Sequence, residues 1–562
     1  MRSRLRSLLV FITVLSILAL PAVGNANHVN RESSNITALG ENIHEATYPV
    51  ESTSDLAFWG DIAYQGNYNG FRVLDVSDPM NPELITWHDD CVGSQGDVMI
   101  WDDILIRSYN SPAPADDPNT PEDDRNICGG QPVPAGFEGL HFFDVGDHDA
   151  ISYIGAVEIT NNSATTGGPN GGPIPGANGT GCGSHTASLT PDVANGRLLI
   201  YNSGSSGNCP GIDIVEVPLD NPVGATWLRR EQTGRSCHDT AVLLGRMPRT
   251  ACAGGDGFTV MSMEAAHGGT LENPAMLYSF APPLTQTAHS VSFTPDGKAF
   301  VFGHEPGGGS GARCQLDGPD SERTFRMYET DTGRFLGRWM LDRAQGPTEN
   351  CTPHNFNFVP TTDGRRILVS GNYQAGTYVT DWTNPRKPEM IAYSDPAPIS
   401  QTEIVLGGAW SSYWYNGYIY ESDITQGLHV FGFDGPEVAT AQSQTFSNPQ
   451  TQMDVLDQTY RYRSGTTLRH TGRPHRFKGS VESDSDNVRC NVREIVVKKN
   501  NGNVVARTKS DVDGGWSVAH RKGGQGRYHA AVLRKTIELR NEYTDDTLVC
   551  QRAESSTLQV QR

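Results

Sequence analysis

Residues 73–85 and 379–391 are one segment written twice. At a constant offset of 306, Val73, Asp75, Pro79, Pro82, Glu83 and Ile85 recur as Val379, Asp381, Pro385, Pro388, Glu389 and Ile391. Weaker copies run from Phe143 to Ile154 and from Ile214 to Pro222. Each is an apolar strand closed by a proline turn, after which another strand begins. A second element recurs just upstream. His185, His289 and His354 each open a short strand that ends near a proline and an Asn-Gly or Asp-Gly turn, followed by an apolar strand. His238 opens a fourth such hairpin. Three more, beginning at Ser54, Gly96 and Trp410, lack the histidine. Seven hairpins, mostly followed by a further strand and a proline turn, make seven four-stranded units. A lone unit cannot bury both faces of its sheet, so the units must stack around an axis. Their spacing, about 40–70 residues, is too long for the coils of a solenoid. The sequence therefore predicts an all-β chain dominated by a seven-bladed β-propeller over residues 45–435.

The run from Asp55 to Tyr64, followed by Gly70 to Pro82, resembles the LVIVD repeat of exported bacterial and archaeal β-propellers. Asn416 to Tyr420 with Gly427 to Phe431 is a second match. Units one, two, six and seven resemble the family well, whereas units three to five are degenerate and carry insertions. The resemblance supports the fold and implies no particular reaction, since one fold hosts many functions.

Around the repeats the chain changes character. Arg2, Arg4 and Arg6, the apolar run 8–20 and the small residues at 24–26 read as a signal peptide over 1–26. Thirteen apolar residues are too few to span a bilayer. Residues 27–44 read as a lead, 436–472 as a polar linker, and 473–562 as a small Ig-like β-sandwich of six or seven strands. The run 502–518 resembles the carboxypeptidase-regulatory-type modules of secreted bacterial proteins. Ten cysteines without a CxxC favour disulfides over structural zinc. Pairing them in order gives Cys91–Cys128, Cys182–Cys209, Cys237–Cys252, Cys314–Cys351 and Cys490–Cys550, each closing one loop or falling within one unit. From residue 473 onward there are 17 Lys+Arg against 11 Asp+Glu, but the rest of the mature chain holds 24 against 53. A propeller this acidic repels nucleic acid. The expected setting is secreted or cell-surface, as a monomer with a small ligand or an extracellular partner.

The chemistry-bearing pattern lies at the hairpin starts. There His185, His238, His289 and His354 point four consecutive imidazoles at one axis. The next positions, including Asp55, Asp97 and Asp239, are polar and could orient the rings from behind. The ends of second strands add Glu264, His267, His304, Glu305, Glu421 and Asp423. Imidazole suits Cu, Fe or Zn, so a transition metal at the channel mouth, with redox chemistry, is one expectation. The plan is similar in kind to carotenoid-cleavage oxygenases and, more loosely, to selenium-binding methanethiol oxidases, with no resemblance in sequence. The competing expectation is a non-catalytic interaction protein. Its loops would form the recognition surface and its sandwich a spacer or surface-docking module, because channel histidines commonly bond only water and backbone.

Overall fold

The computed structural model describes residues 31–561, except 92, 94, 111, 114–125, 160–182, 205–209, 232, 454–458, 473–474, 485–487, 521–523 and 541–544. The signal-peptide reading and the Cys182–Cys209 pair fall outside the described residues. Among those residues no helix is long and apolar enough to cross a membrane.

The fold is all-β and of propeller type. Strands pair in seven four-stranded antiparallel groups. The innermost strands are Thr53–Trp59, Val98–Trp101, Thr186–Asp192, Asp239–Leu244, Ala288–Phe293, Asn355–Phe358 and Ala409–Tyr415. Each neighbours the next, and the seventh neighbours the first, so the ring is closed. In all seven groups the third and fourth strands slip register by a bulge at the equivalent place, as at Val73/Leu74 and Val379/Thr380. A shared bulge adds the same local twist to every sheet.

Apolar residues line both faces of each sheet, and seven core clusters fill the seven gaps between neighbouring groups. Leu56 and Phe58 of the first group, for example, pack with Tyr413 and Tyr420 of the seventh. The repeated prolines belong to these gaps. Gly40 and Gly337, on outer strands, lie against the carbonyls of Pro79 and Pro385; a Cβ at either glycine would come within 2.5 Å and 1.5 Å of that oxygen. The repeat thus preserves an inter-sheet contact as well as a turn.

Two boundaries differ from expectation. Within the expected lead 27–44, the described residues from 31 onward join the ring: Ile36–Ile43 pairs with Gly427–Phe433 as the outer strand of the seventh group, and Arg31–Glu32 pairs with Glu389–Asp395 of the sixth. The strand Ile36–Ile43, from the N-terminal side of the ring, therefore completes the last sheet. Nor is 436–472 a free linker. Phe446–Ser447 pairs with the first innermost strand and Thr451–Met453 with the fourth, while Thr459–Tyr462 pairs with Asp545–Cys550 of the C-terminal module. That module carries a core of Phe477, Ile495, Trp516 and Val532 between its sheets. Disulfides join Cys91–Cys128, Cys237–Cys252, Cys314–Cys351 and Cys490–Cys550.

Candidate functional site

His185, His238 and His354 each sit one residue before an innermost strand, and His289 is the second residue of its own. Because the strands start at equivalent points around one axis, the four rings form a continuous arc. Ring centroids are 4.2 Å apart for His185–His238, 4.0 Å for His238–His289 and 4.4 Å for His289–His354. All four line a cavity of about 280 Å³. Glu305 and Tyr373 form its other wall, with Tyr48 and Tyr68 also lining it.

The hydrogen bonds behind the rings decide what their inner nitrogens can do. His238 Nδ1 lies 2.9 Å from Asp239 Oδ1. His289 Nδ1 is bonded to Ser290 Oγ, which itself donates to Asp239 Oδ2 at 2.7 Å. His354 Nδ1 donates to the carbonyl of Trp410. An acceptor at Nδ1 places the proton of the neutral ring there and leaves Nε2 as a lone pair. Three Nε2 lone pairs are therefore committed to the cavity side. Glu305 adds a carboxylate to them, 3.9 Å from His289 Nε2 and 3.7 Å from His354 Nε2. The Tyr373 hydroxyl donates to its Oε1. His185 Nε2 and His238 Nε2 stand 2.9 Å apart. That is short enough for one shared proton, or for one ion about 2.1 Å from each nitrogen at close to a right angle.

Burial, with the neighbouring imidazoles, holds His185 and His289 well below the ordinary imidazole range. Burial also brings His354 down to about 4, against its bond to Trp410. His238 goes the other way: burial opposes its charge, but the Asp239 bond and the charges of Asp239 and Glu305 raise it. Glu305 is pushed up to about 6 by burial, moderated by His238 and Tyr373. At neutral pH most of the arc is thus uncharged imidazole, the form that ligates metals.

Beneath the arc lies a polar layer. Asn355 donates from Nδ2 to Asp55 Oδ2 at 2.9 Å, and the Tyr413 hydroxyl donates to the same oxygen at 3.0 Å. Asp97 is also buried there, its carboxyl raised by burial and by the charges of Asp55 and Asp239. Asp55, Asp97 and Asp239 are accordingly channel residues, though only Asp239 touches a histidine of the arc. Glu264, His304 and Glu421 are not part of the cavity. Glu264 pairs with Arg249. His304 is locked between the backbone of Gln286 and the carbonyl of Ser321. Glu421 accepts from Thr377 and forms a separate group with Asp423 and His429 in the seventh sheet. His267 bonds Ser262.

Sequence reasoning gave no sign of Tyr373. It sits in a tight turn at φ 53°, and Gly309 packs so closely that a Cβ there would meet its hydroxyl at 2.3 Å.

Residues 52–90, the first four-stranded group, match the family described as the LVIVD repeat. No curated protein matches the chain. Among solved structures it is similar to the N-terminal domain of Nup159 (TM-score 0.39, 10% identity, covering 72% of this chain and 97% of that one). It is also similar to a protein from Lactobacillus plantarum (TM-score 0.36, 12% identity, covering 61% and 82%). These likenesses are too distant to say anything of function. The chain carries an LVIVD repeat within an all-β, propeller-type fold.

Proposed function

We propose that this protein is an extracellular or cell-surface seven-bladed propeller that binds a transition metal in the histidine arc, with a small ligand occupying the cavity beside it. His289, Glu305 and His354, whose ligand atoms lie within 4.8 Å of one another, would hold the metal, with His238 and then His185 next along the arc. Copper, iron and zinc all suit such a donor set, and copper or iron would give it redox chemistry. The C-terminal module, read as a small sandwich, serves as a spacer or docking unit.

One observation carries this reading. Three of the four Nδ1 atoms are bonded from behind, which leaves the Nε2 atoms of His289 and His354 within 4 Å of the Glu305 carboxylate and that of His238 beside His185 Nε2. Converging lone pairs repel unless a cation or proton lies between them. The outer bonds follow the pattern by which ligating histidines are oriented in metal sites. Metal analysis of untagged protein, followed by titration with Cu(II), Fe(II) and Zn(II), tests it. About one ion per chain is expected, lost on replacing His238 or His289 by Ala. Protein that neither carries nor acquires metal would leave only a binding propeller.

A further inference from the structure

The residues that follow the seventh sheet enter the channel from the far ends of the innermost strands, opposite the histidines. Phe446 and Ser447 pair with Trp59 and Phe58. Asn448 uses both ends of its amide on Ile100, accepting from its N–H at 2.7 Å and donating to its carbonyl at 3.0 Å. Val242 N–H donates to the carbonyl of Gln450 at 2.8 Å, and Phe293 N–H donates to Gln452 Oε1 at 3.1 Å. One short segment thus grips innermost strands of four groups.

Gln450 reaches furthest inward. It is 2% exposed, its φ is 56°, and its Nε2 donates to Asp239 Oδ2 at 3.0 Å and points to Asn355 Oδ1 at 3.5 Å. Asp239 is the hub of the arc: its Oδ1 holds His238, and its Oδ2 receives Ser290, which holds His289. A carboxylate that orients two rings must itself be fixed. A second, buried amide donor to the oxygen that receives Ser290 is a means of fixing it.

We infer that Gln450 is a positioning residue, acting through Asp239 to set the tautomer and direction of His238 and His289. The segment 446–453 is therefore part of the site and not merely its floor. The purpose of this arrangement rests on the metal reading above; the arrangement does not.

Gln450→Met keeps the length of the side chain and removes the amide, whose oxygen has no hydrogen-bond partner to lose among the described residues, while Asn448→Ala loosens the same segment without touching Asp239. In metal-free full-length protein with 15N-labelled histidine, His238 should give a single Nδ1–H tautomer signal in the parent and in Asn448→Ala. In Gln450→Met that signal should shift or split. Co(II) uptake, read by its visible bands, should weaken about 10–100-fold in Gln450→Met with altered bands, and remain near the parent value in Asn448→Ala. Identical His238 signals in the parent and Gln450→Met, or equal effects of the two substitutions, would overturn the inference. If no variant takes up Co(II), the metal reading fails, and the tautomer comparison still decides the role of Gln450.

Discussion

Protons and metal compete for the same atoms, so the pH dependence of metal affinity reads out the environment of the arc. Four solvent-exposed histidines would all begin to protonate near 6.5, and affinity would fall by up to four decades per pH unit below it. The buried arc behaves otherwise. His185 and His289 are held well below that range and His354 at about 4, so they compete only in acid. Two groups remain. His238 is raised above 6.5, and Glu305 lies at about 6. From pH 6.5 to 5, Glu305 costs about one decade and His238 at most about 1.5 more, the limit for one proton over that range, so affinity should drop by no more than about 300-fold. Replacing Glu305 by Gln removes one of the two protons. The slope below pH 6 should then fall from about two decades per unit to about one, whatever the change in absolute affinity. Competition titrations against a chelator of known proton affinity, at half-unit steps from pH 8 to 5, measure both slopes. A slope of three or four protons near 6.5, or one that Glu305→Gln leaves untouched, would refute the desolvated arc.

Two further outcomes follow from the same structure. Burial pushes Glu421 up to about 7, so its folded pKa lies above its unfolded one. Its stabilising contribution is present at low pH and is lost as pH rises through 7. Glu421→Gln should therefore change little at pH 5 and stabilise by about 3 kcal/mol at pH 8; equal denaturation midpoints relative to the parent at both pH values would count against this. Phe446, 6% exposed, lies against Trp59 and Trp101 at 5.9 and 5.1 Å between ring centroids. Phe446→Ala should cost about 3 kcal/mol, the lower end for a buried Phe because both tryptophans are partly exposed. Urea unfolding followed by tryptophan fluorescence measures it, and a loss below about 1 kcal/mol would mean the segment is not seated in the channel.

The fold was legible because each unit carries its own copy of the signal: an alternating strand, a tight turn and a proline. The histidines were legible for the same reason, since equivalence along the sequence became equivalence around an axis. Second-strand ends were not, because side chains alternate faces and a one-residue step reverses them. His304 ends its strand facing the backbone of Gln286 and Ser321, while the adjacent Glu305 enters the cavity. Nothing in the local pattern separates the two. The strand Ile36–Ile43 escaped for another reason. It is an outer strand, mostly exposed or half-buried, so it lacks the apolar rhythm that marks the inner ones. Residues 446–453 read as linker because their contacts are made largely by amides. Asn448, Gln450 and Gln452 replace a ladder of apolar contacts with hydrogen bonds to strand ends, and composition does not tell a buried amide from a solvated one.

The placement of carboxylates around the arc explains why the ring positions hold imidazole. Asp55, Asp97, Asp239 and Glu305 are all buried in or beside one channel, and further acids among the ring positions would add charge that burial penalises steeply. Imidazole offers a ligand atom without charge, and desolvation, which raises a carboxyl, keeps an imidazole neutral and ready. The same burial that lifts Glu305 to about 6 lowers His354 to about 4. Between those values His354 is neutral while Glu305 is largely protonated, so of these two donors Glu305 is the first to be lost as pH falls. Asp239 is tied by three donors, His238, Ser290 and Gln450. A carboxylate held by three hydrogen bonds is fixed in direction, which makes it the point from which the rest of the site is oriented.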